Sequence, residues 1–168
     1  MKSLFLIGGP MGVGKTAVSR ELQKMLPDCV FLDGDWCWDA APFRVTEETR
    51  AVVLDNICHM LNNFLHCTAY RHIVFCWVMH EQAIVEEILR RLDTEPCSVH
   101  AVSLVCTENA LRERLEKDVR FGVREPDVIP RSLQRLPLYQ AVRTVKIDTT
   151  DLTVQQVAAE LAAMADEP

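Results

Sequence analysis

The sequence contains no long apolar run. A membrane-spanning helix needs about 18 or more consecutive apolar residues, and no such stretch occurs. The N-terminal apolar segment is only Leu4-Phe5-Leu6-Ile7 behind Lys2, short of the ~7–15 residues of a secretory signal. Excess positive charge is also missing. The chain has 18 Lys and Arg against 24 Asp and Glu, a formal charge of −6, so no global basic field draws in nucleic acid or another polyanion. Its seven cysteines, Cys29, Cys37, Cys58, Cys67, Cys76, Cys97 and Cys106, include no Cys-x-x-Cys pair, and its five histidines show no metal-ligand spacing. These features read as reduced thiols in a cytoplasmic protein, mostly buried as small hydrophobes, with neither a disulfide framework nor a zinc site. No internal repeat or low-complexity tract is present.

What remains is an ordinary globular composition: 168 residues, 49% apolar and 25% charged. One domain spanning residues 1–168 fits that length. Short apolar runs alternate with helical patterns. Residues 3–7, 29–32, 72–77 and 99–105 are nearly continuous in apolar side chains, as strands covered on both faces must be, and residues 143–147 alternate as an edge strand does. Between them, Val18, Leu22 and Leu26 mark one helix; Val53, Ile57, Leu61 and Phe64 mark a long second one with Thr46 as its N-cap. Ile84, Ile88 and Leu92 mark a third, and Leu111 and Leu115 a fourth starting near Thr107. Thr153-x-x-Gln156 is a capping box for a last helix through Val154, Val157 and Leu161. Strand and helix alternate throughout, which predicts an α/β fold: an open parallel sheet with helices on both faces. In such folds ligands bind beyond the carboxyl ends of the strands.

The first strand runs into Gly9-Pro10-Met11-Gly12-Val13-Gly14-Lys15-Thr16, which fits G-x-x-x-x-G-K-[ST] without a mismatch. Glycines permit positive φ and let main-chain N–H groups close around phosphate oxygens. The following helix adds the positive end of its dipole. Lys15 is placed to reach the β- and γ-phosphates of ATP, and Thr16 to offer a hydroxyl to Mg²⁺. The second strand ends in Leu32-Asp33-Gly34-Asp35-Trp36. In extended chain Asp33 and Asp35 project to the same side. One carboxylate can take a proton from an acceptor hydroxyl while the other holds that hydroxyl or orders a Mg²⁺-bound water; the alternative is that the pair caps a turn. Trp36 and Trp38 flank this place, with Phe43 and Arg44 close behind; tryptophan suits a planar or sugar-like ligand and Arg44 an anionic group on it. The third strand ends in Cys76-Trp77, where many P-loop ATPases keep the Mg²⁺-ordering Asp, so metal ordering falls to Thr16, Asp33 or Asp35. His80 follows that strand and either lines the site or starts a helix.

The phosphate loop, the LDGD after the second strand and the short chain resemble the small P-loop kinases, among them adenylylsulfate, gluconate and shikimate kinases and chloramphenicol phosphotransferase. That resemblance implies a three-layer P-loop NTPase fold, with a five-stranded parallel sheet in the order 2-3-1-4-5. It implies an acceptor-binding region at about 33–70, containing Asp33, Asp35, Trp36, Trp38 and Arg44, and gives Asp35 the base role with Asp33 second. It implies a mobile lid at about 117–131. Six of the thirteen arginines, Arg112, Arg114, Arg120, Arg124, Arg131 and Arg135, lie between 112 and 135, interleaved with Glu113, Glu116 and Asp118 as on a solvated helix face. Arg120 and then Arg124 are placed best to neutralise a transferring phosphoryl group. Ile147-Asp148-Thr149 resembles the loop that lies against the adenine base, although it can equally cap the last helix. Gly9, Met11, Gly12, Val13, Gly14, Lys15, Thr16, Arg120, Asp148 and Thr149 then form the ATP site. Adenylylsulfate kinases continue LDGD with Asn-Val-Arg, where this chain has Trp36-Cys37-Trp38, which points away from adenylylsulfate as acceptor.

The expected activity is ATP-dependent, Mg²⁺-assisted transfer to a hydroxyl of a small molecule: a nucleoside or nucleotide, a sugar-like metabolite or an antibiotic. The rivals are a non-catalytic nucleotide-binding module and a slow ATPase. A GTPase switch would carry an Asn-Lys-x-Asp base-reading motif and a ring-forming ATPase an acidic pair ending an apolar strand; both are absent. A kinase acting on nucleic acid ends conflicts with the net charge.

Overall fold

The computed structural model describes residues 1–165. Five parallel strands form one sheet: β1 Lys2–Gly8, β2 Cys29–Asp33, β3 His72–Cys76, β4 Cys97–Val105 and β5 Val145–Asp148, in the order β2-β3-β1-β4-β5. The predicted order is the observed one. Six α-helices connect and cover them: α1 Lys15–Met25, α2 Glu47–His66, α3 Gln82–Arg90, α4 Glu108–Arg120, α5 Val128–Arg135 and α6 Val154–Met164. Among the described residues no helix is long and apolar enough to cross a membrane.

Alternation along β1 shows how the layers arise. Successive side chains point to opposite faces of a strand. Phe5 and Ile7 enter one core with Leu22 of α1, Leu111 and Leu115 of α4 and Leu161 of α6. Leu4 and Leu6 enter the other with Ile57 and Leu61 of α2 and Ile88 of α3. A central strand therefore has no polar face, which is why residues 3–7 read as an unbroken apolar run. The helix starts fall where the caps place them. Thr46 accepts from the Thr49 amide, Thr107 from that of Ala110 and Thr153 from that of Gln156.

Three local expectations shift. The edge strand begins at Val145, not at residue 143, and runs on to Asp148. Trp77 lies just past β3, with its amide still donating to the Ile7 carbonyl at 3.2 Å. Residues 128–135, partly within the expected lid, form α5; Pro130 sits in its first turn, where a missing N–H costs nothing.

β1 passes into the phosphate loop at a point where the chain must run very close to α4. Gly12 has φ +84°, and a Cβ built there would lie 2.4 Å from Leu115 Cδ2. Leu115 is fully buried in the core and has no room to retreat. Gly14 has φ +106° but nothing within 4 Å of its would-be Cβ. Both positions strain an L-residue, and only Gly12 adds a collision. Gly12→Ala is therefore expected to cost about 1–3 kcal/mol more stability than Gly14→Ala, as measured by urea unfolding of the two variants.

Candidate active site

The carboxyl ends of β1, β2 and β3 meet at one place because the strands are in register. Ile7 pairs with Cys76, and Cys76 with Asp33. The loop from Gly9 to Gly14 leaves β1 here and turns into α1, with Gly14 as the left-handed residue before Lys15. The open space on Gly14 leaves room for a phosphate oxygen beside the main chain.

Thr16 donates its hydroxyl to Asp33 Oδ2 at 2.7 Å. Asp33 is buried, 6% exposed, and its other oxygen accepts from the Asp35 amide at 3.1 Å, starting the 3-10 turn Gly34–Cys37. One carboxylate thus ties the phosphate loop to the segment that carries Asp35. Asp35 itself is exposed on that turn. Extended-strand alternation predicts Asp33 and Asp35 side by side. The turn produces a different arrangement, in which Asp33 is an anchor and Asp35 is left free to face a ligand.

Lys15 donates to the Pro10 carbonyl at 2.9 Å. Removal from water lowers its pKa to about 8, against the opposing pull of the nearby Asp35 and Asp33 carboxylates. The Arg124 guanidinium is close enough to push in the same direction as burial. Asp33, Asp35 and Arg124 thus all lie within electrostatic reach of Lys15. Beneath them Cys76 is fully buried. Burial, and after it the Asp33 charge, pushes its thiol up to about 12, so it stays neutral. A carboxylate is thus absent from the end of β3, and Asp33 stands in its place opposite Thr16. Among the described residues no group of three or more His, Cys, Asp or Glu is placed to hold a metal. The Thr16 hydroxyl and the Asp33 carboxylate nevertheless offer hard oxygens at one point. That suits Mg²⁺, which takes one or two protein oxygens and fills its shell with water and substrate phosphate.

The clustered arginines divide. Arg124, in the loop between α4 and α5, donates to Asp118 Oδ2 at 3.0 Å. Arg120, the favoured residue on sequence, ends α4 exposed to solvent. Arg131 pairs with Asp127 at 3.3 Å and Arg112 with Glu108 at 3.0 Å, both one helical turn apart. Arg114 carries a larger part than its place in the cluster suggested. It donates to Thr149 Oγ1 at 3.0 Å, to the Thr149 carbonyl at 2.7 Å and to the Val13 carbonyl at 3.5 Å. It joins the phosphate loop to the loop after β5. Its position beside the Leu111–Leu115 stripe was the available signal that it faces inward. Thr149 is buried, and its hydroxyl donates to the Val105 carbonyl at 3.1 Å. Asp148 is exposed and accepts from the Thr150 amide and hydroxyl, which hold its carboxyl below the usual range.

The tryptophans separate as well. Trp36 packs away from Asp35, edge-on to Phe31 at 5.2 Å and beside the Arg20 guanidinium at 5.1 Å. Trp38 meets Phe43 at 4.9 Å and Trp77 at 5.8 Å, both edge to face. Trp77 presses on Gly34, where a Cβ would lie 2.5 Å from its Cγ. Arg44 is exposed; its carbonyl accepts from the Thr49 hydroxyl at 3.0 Å. His80 precedes α3 and lies 3.3 Å from Glu81 through Nε2. Burial, with the Arg135 and Arg50 charges, lowers its pKa despite Glu81. Tyr139 gave no sequence signal. It is fully buried, with its ring edge packed under Gly8. It fixes the chain after α5 to the root of the phosphate loop.

Lys15 gives a test with a defined sign. Its folded-state pKa of about 8 lies below the ordinary value near 10.4. At pH 7 both states are protonated and the full cost of burying the ammonium is present. Above about pH 8 the folded state gives up the proton first, and the cost fades toward pH 10.4. Lys15→Met is therefore expected to be more stable than the wild type at pH 7, by a margin that shrinks at pH 10. Urea unfolding of both proteins at the two pH values measures it.

The fold occurs in known structures. The tunicamycin resistance protein of Deinococcus radiodurans is 22% identical, with 100% of this chain and 98% of that one covered and a TM-score of 0.73. A gluconokinase from Sinorhizobium meliloti 1021 is 19% identical over 97% of this chain and 91% of that one, TM-score 0.69. A shikimate kinase from Acinetobacter baumannii, in complex with shikimate, is 21% identical over 98% and 92%, TM-score 0.63. At these identities the likeness is one of fold. No curated protein matches the sequence. The family model described as "AAA domain" matches residues 6–124, well over half of the chain. With its phosphate loop and its 2-3-1-4-5 sheet, the chain belongs to the AAA domain family and has the fold of the small P-loop kinases.

Proposed function

We propose that the protein is an ATP-dependent phosphotransferase acting on a hydroxyl of a small molecule. The observation that carries this reading is the division of labour between the two carboxylates. Asp33 is buried and bonded to Thr16, whereas Asp35 is exposed next to it and lies within electrostatic reach of Lys15. A protein that only binds or slowly hydrolyses nucleotide has no use for a second, solvent-facing carboxylate held beside the phosphate-loop lysine. Its structural neighbours include proteins described as gluconokinase and shikimate kinase, which supports the same reading.

In this account the main-chain amides of residues 9–14 and the Lys15 ammonium hold the phosphates of ATP. Thr16 and Asp33 would hold Mg²⁺, which would draw charge from the phosphate oxygens. Asp35 accepts the proton of the acceptor hydroxyl as that oxygen bonds to the γ-phosphorus. The bond from the γ-phosphorus to the β,γ-bridging oxygen breaks, and ADP leaves. Arg124, and Arg120 once the lid at about 117–131 folds over, balance the charge on the transferring group. Arg114 braces the phosphate loop against residues 148–150, where the adenine would lie.

Lys15→Ala is expected to abolish turnover. Asp35→Asn keeps the shape and loses the base. Its transfer rate should fall by about 10²–10⁴-fold while its ATP affinity stays within a few-fold of wild type. Steady-state kinetics with ATP and a panel of hydroxyl acceptors, read together with ATP binding by calorimetry, separates the two effects. A loss confined to ATP binding would remove Asp35 from the acceptor side.

A further inference from the structure

The end of the sheet opposite the phosphate loop holds a half-open cavity of about 640 Å³. β1 is seven residues long, so at ~3.3 Å per residue the cavity lies roughly 20 Å from that loop. Its polar wall comes from the strand starts: Lys2 and Ser3 of β1, Arg71 and His72 at the head of β3, and Ser98 of β4. Ser3 and His72 are partners in the β1–β3 ladder, and Ser3 Oγ lies 2.7 Å from His72 Nδ1, with both residues buried. The rest of the lining is apolar. Met25 and Leu26 close the cavity where α1 ends, and Ala159, Ala162 and Ala163 line it from α6. That helix turns Val157 and Leu161 into the core, and the methyl groups of its alanines leave this space open.

The charge of the lining runs against that of the chain. The protein carries −6 overall, yet the described residues around this cavity include two cations and no Asp or Glu. Lys2 Nζ is committed to the main chain where α2 ends, donating to the Phe64 carbonyl at 3.4 Å and to that of Cys67. Arg71 is exposed, and its guanidinium takes part in none of the ion pairs among the described residues. Among the same residues Ser98 Oγ meets only the Met1 thioether, at 3.3 Å, a weak acceptor. A positive fork and an under-used hydroxyl therefore stand beside apolar walls.

Independently of the phosphotransferase reading, we propose that this cavity is a second ligand site, and that it takes an organic anion with an apolar body, such as a medium-chain carboxylate. The carboxylate accepts from the Arg71 guanidinium, whose parallel N–H groups match its two oxygens, and from the Ser98 hydroxyl. The Lys2 ammonium adds attraction without direct contact. The hydrocarbon chain lies on Met25, Leu26 and the α6 alanines and releases the water held there. The volume falls within the range of small-molecule sites, about 300–1,000 Å³. A bare inorganic anion leaves most of it wet, and a neutral alcohol leaves Arg71 without a counter-charge.

Calorimetry with octanoate, octanol and acetate separates the two halves of the ligand. Octanoate is expected to bind at least about tenfold more tightly than either of the others. Arg71→Gln should lower octanoate affinity by about tenfold or more and leave octanol unchanged. Ala163→Leu, at an exposed position outside the core, should weaken octanoate by filling the cavity while urea unfolding stays as in the wild type. ATP affinity should be unchanged in both variants, as expected of a site remote from the phosphate loop. Equal binding of octanoate and octanol, no binding of octanoate, or octanoate binding that survives either substitution overturns the proposal. Asp166 and Glu167 follow the lining residue Ala165 and lie outside the described residues. Octanoate binding only to the Asp166→Asn/Glu167→Gln variant would mean that the chain's own carboxylates take the cavity, and it would likewise overturn the proposal.

Discussion

The hydrogen bond from Thr16 to Asp33 is the constraint around which the site is built. β2 and β1 are not neighbours; β3 lies between them. Something must therefore reach across β3 to bring the segment that carries Asp35 to the phosphate loop. In many P-loop proteins a carboxylate at the end of the intervening strand occupies that place. Here Cys76 stands there, neutral and buried, and its small side chain lets the Asp33 carboxylate approach the Thr16 hydroxyl. The same carboxylate caps the turn that holds Asp35. One side chain thereby sets the position of the phosphate loop, the turn and the solvent-facing carboxylate together.

The remaining contacts around the phosphate loop serve that arrangement. Gly12 lets the loop sit against Leu115, Tyr139 fills the space below Gly8 and Arg114 fastens Val13 to the loop after β5. The loop is thus held from three sides before any ligand arrives. Preorganisation of this kind has a cost, visible in the lowered pKa of Lys15. The ammonium is kept out of water although its two carboxylate neighbours repay only part of what it loses. Phosphate oxygens would supply the missing counter-charge, so a site unfavourable to the free protein becomes favourable to its ligand.

Much of this was legible in the sequence for identifiable reasons. The phosphate loop is a local motif with a local geometry, and strands covered on both faces announce themselves as unbroken apolar runs. Helix starts followed from Thr46, Thr107 and Thr153 because a cap bonds only a few residues ahead. The acceptor side was less legible because its contacts are long-range. Trp36 and Trp38 are two apart in the chain, yet the turn at Gly34–Cys37 sends one toward Arg20 and Phe31 and the other toward Trp77. Nothing local distinguishes them. Arg114 and Tyr139 act through partners far away in sequence, and among six arginines within a short span only the place of Arg114 beside the Leu111–Leu115 stripe marked the one that turns inward.

A double-mutant cycle on the ligand-free protein tests the central claim most directly. Thr16→Val, Asp33→Ala and the double variant would be unfolded in urea with chelator present, so that no metal contributes. If the hydrogen bond joins the two halves of the site, the two losses are non-additive by about 1 kcal/mol or more. Losses that simply add, within about 0.3 kcal/mol, would mean that Thr16 and Asp33 are held in place independently, and the account would be contradicted.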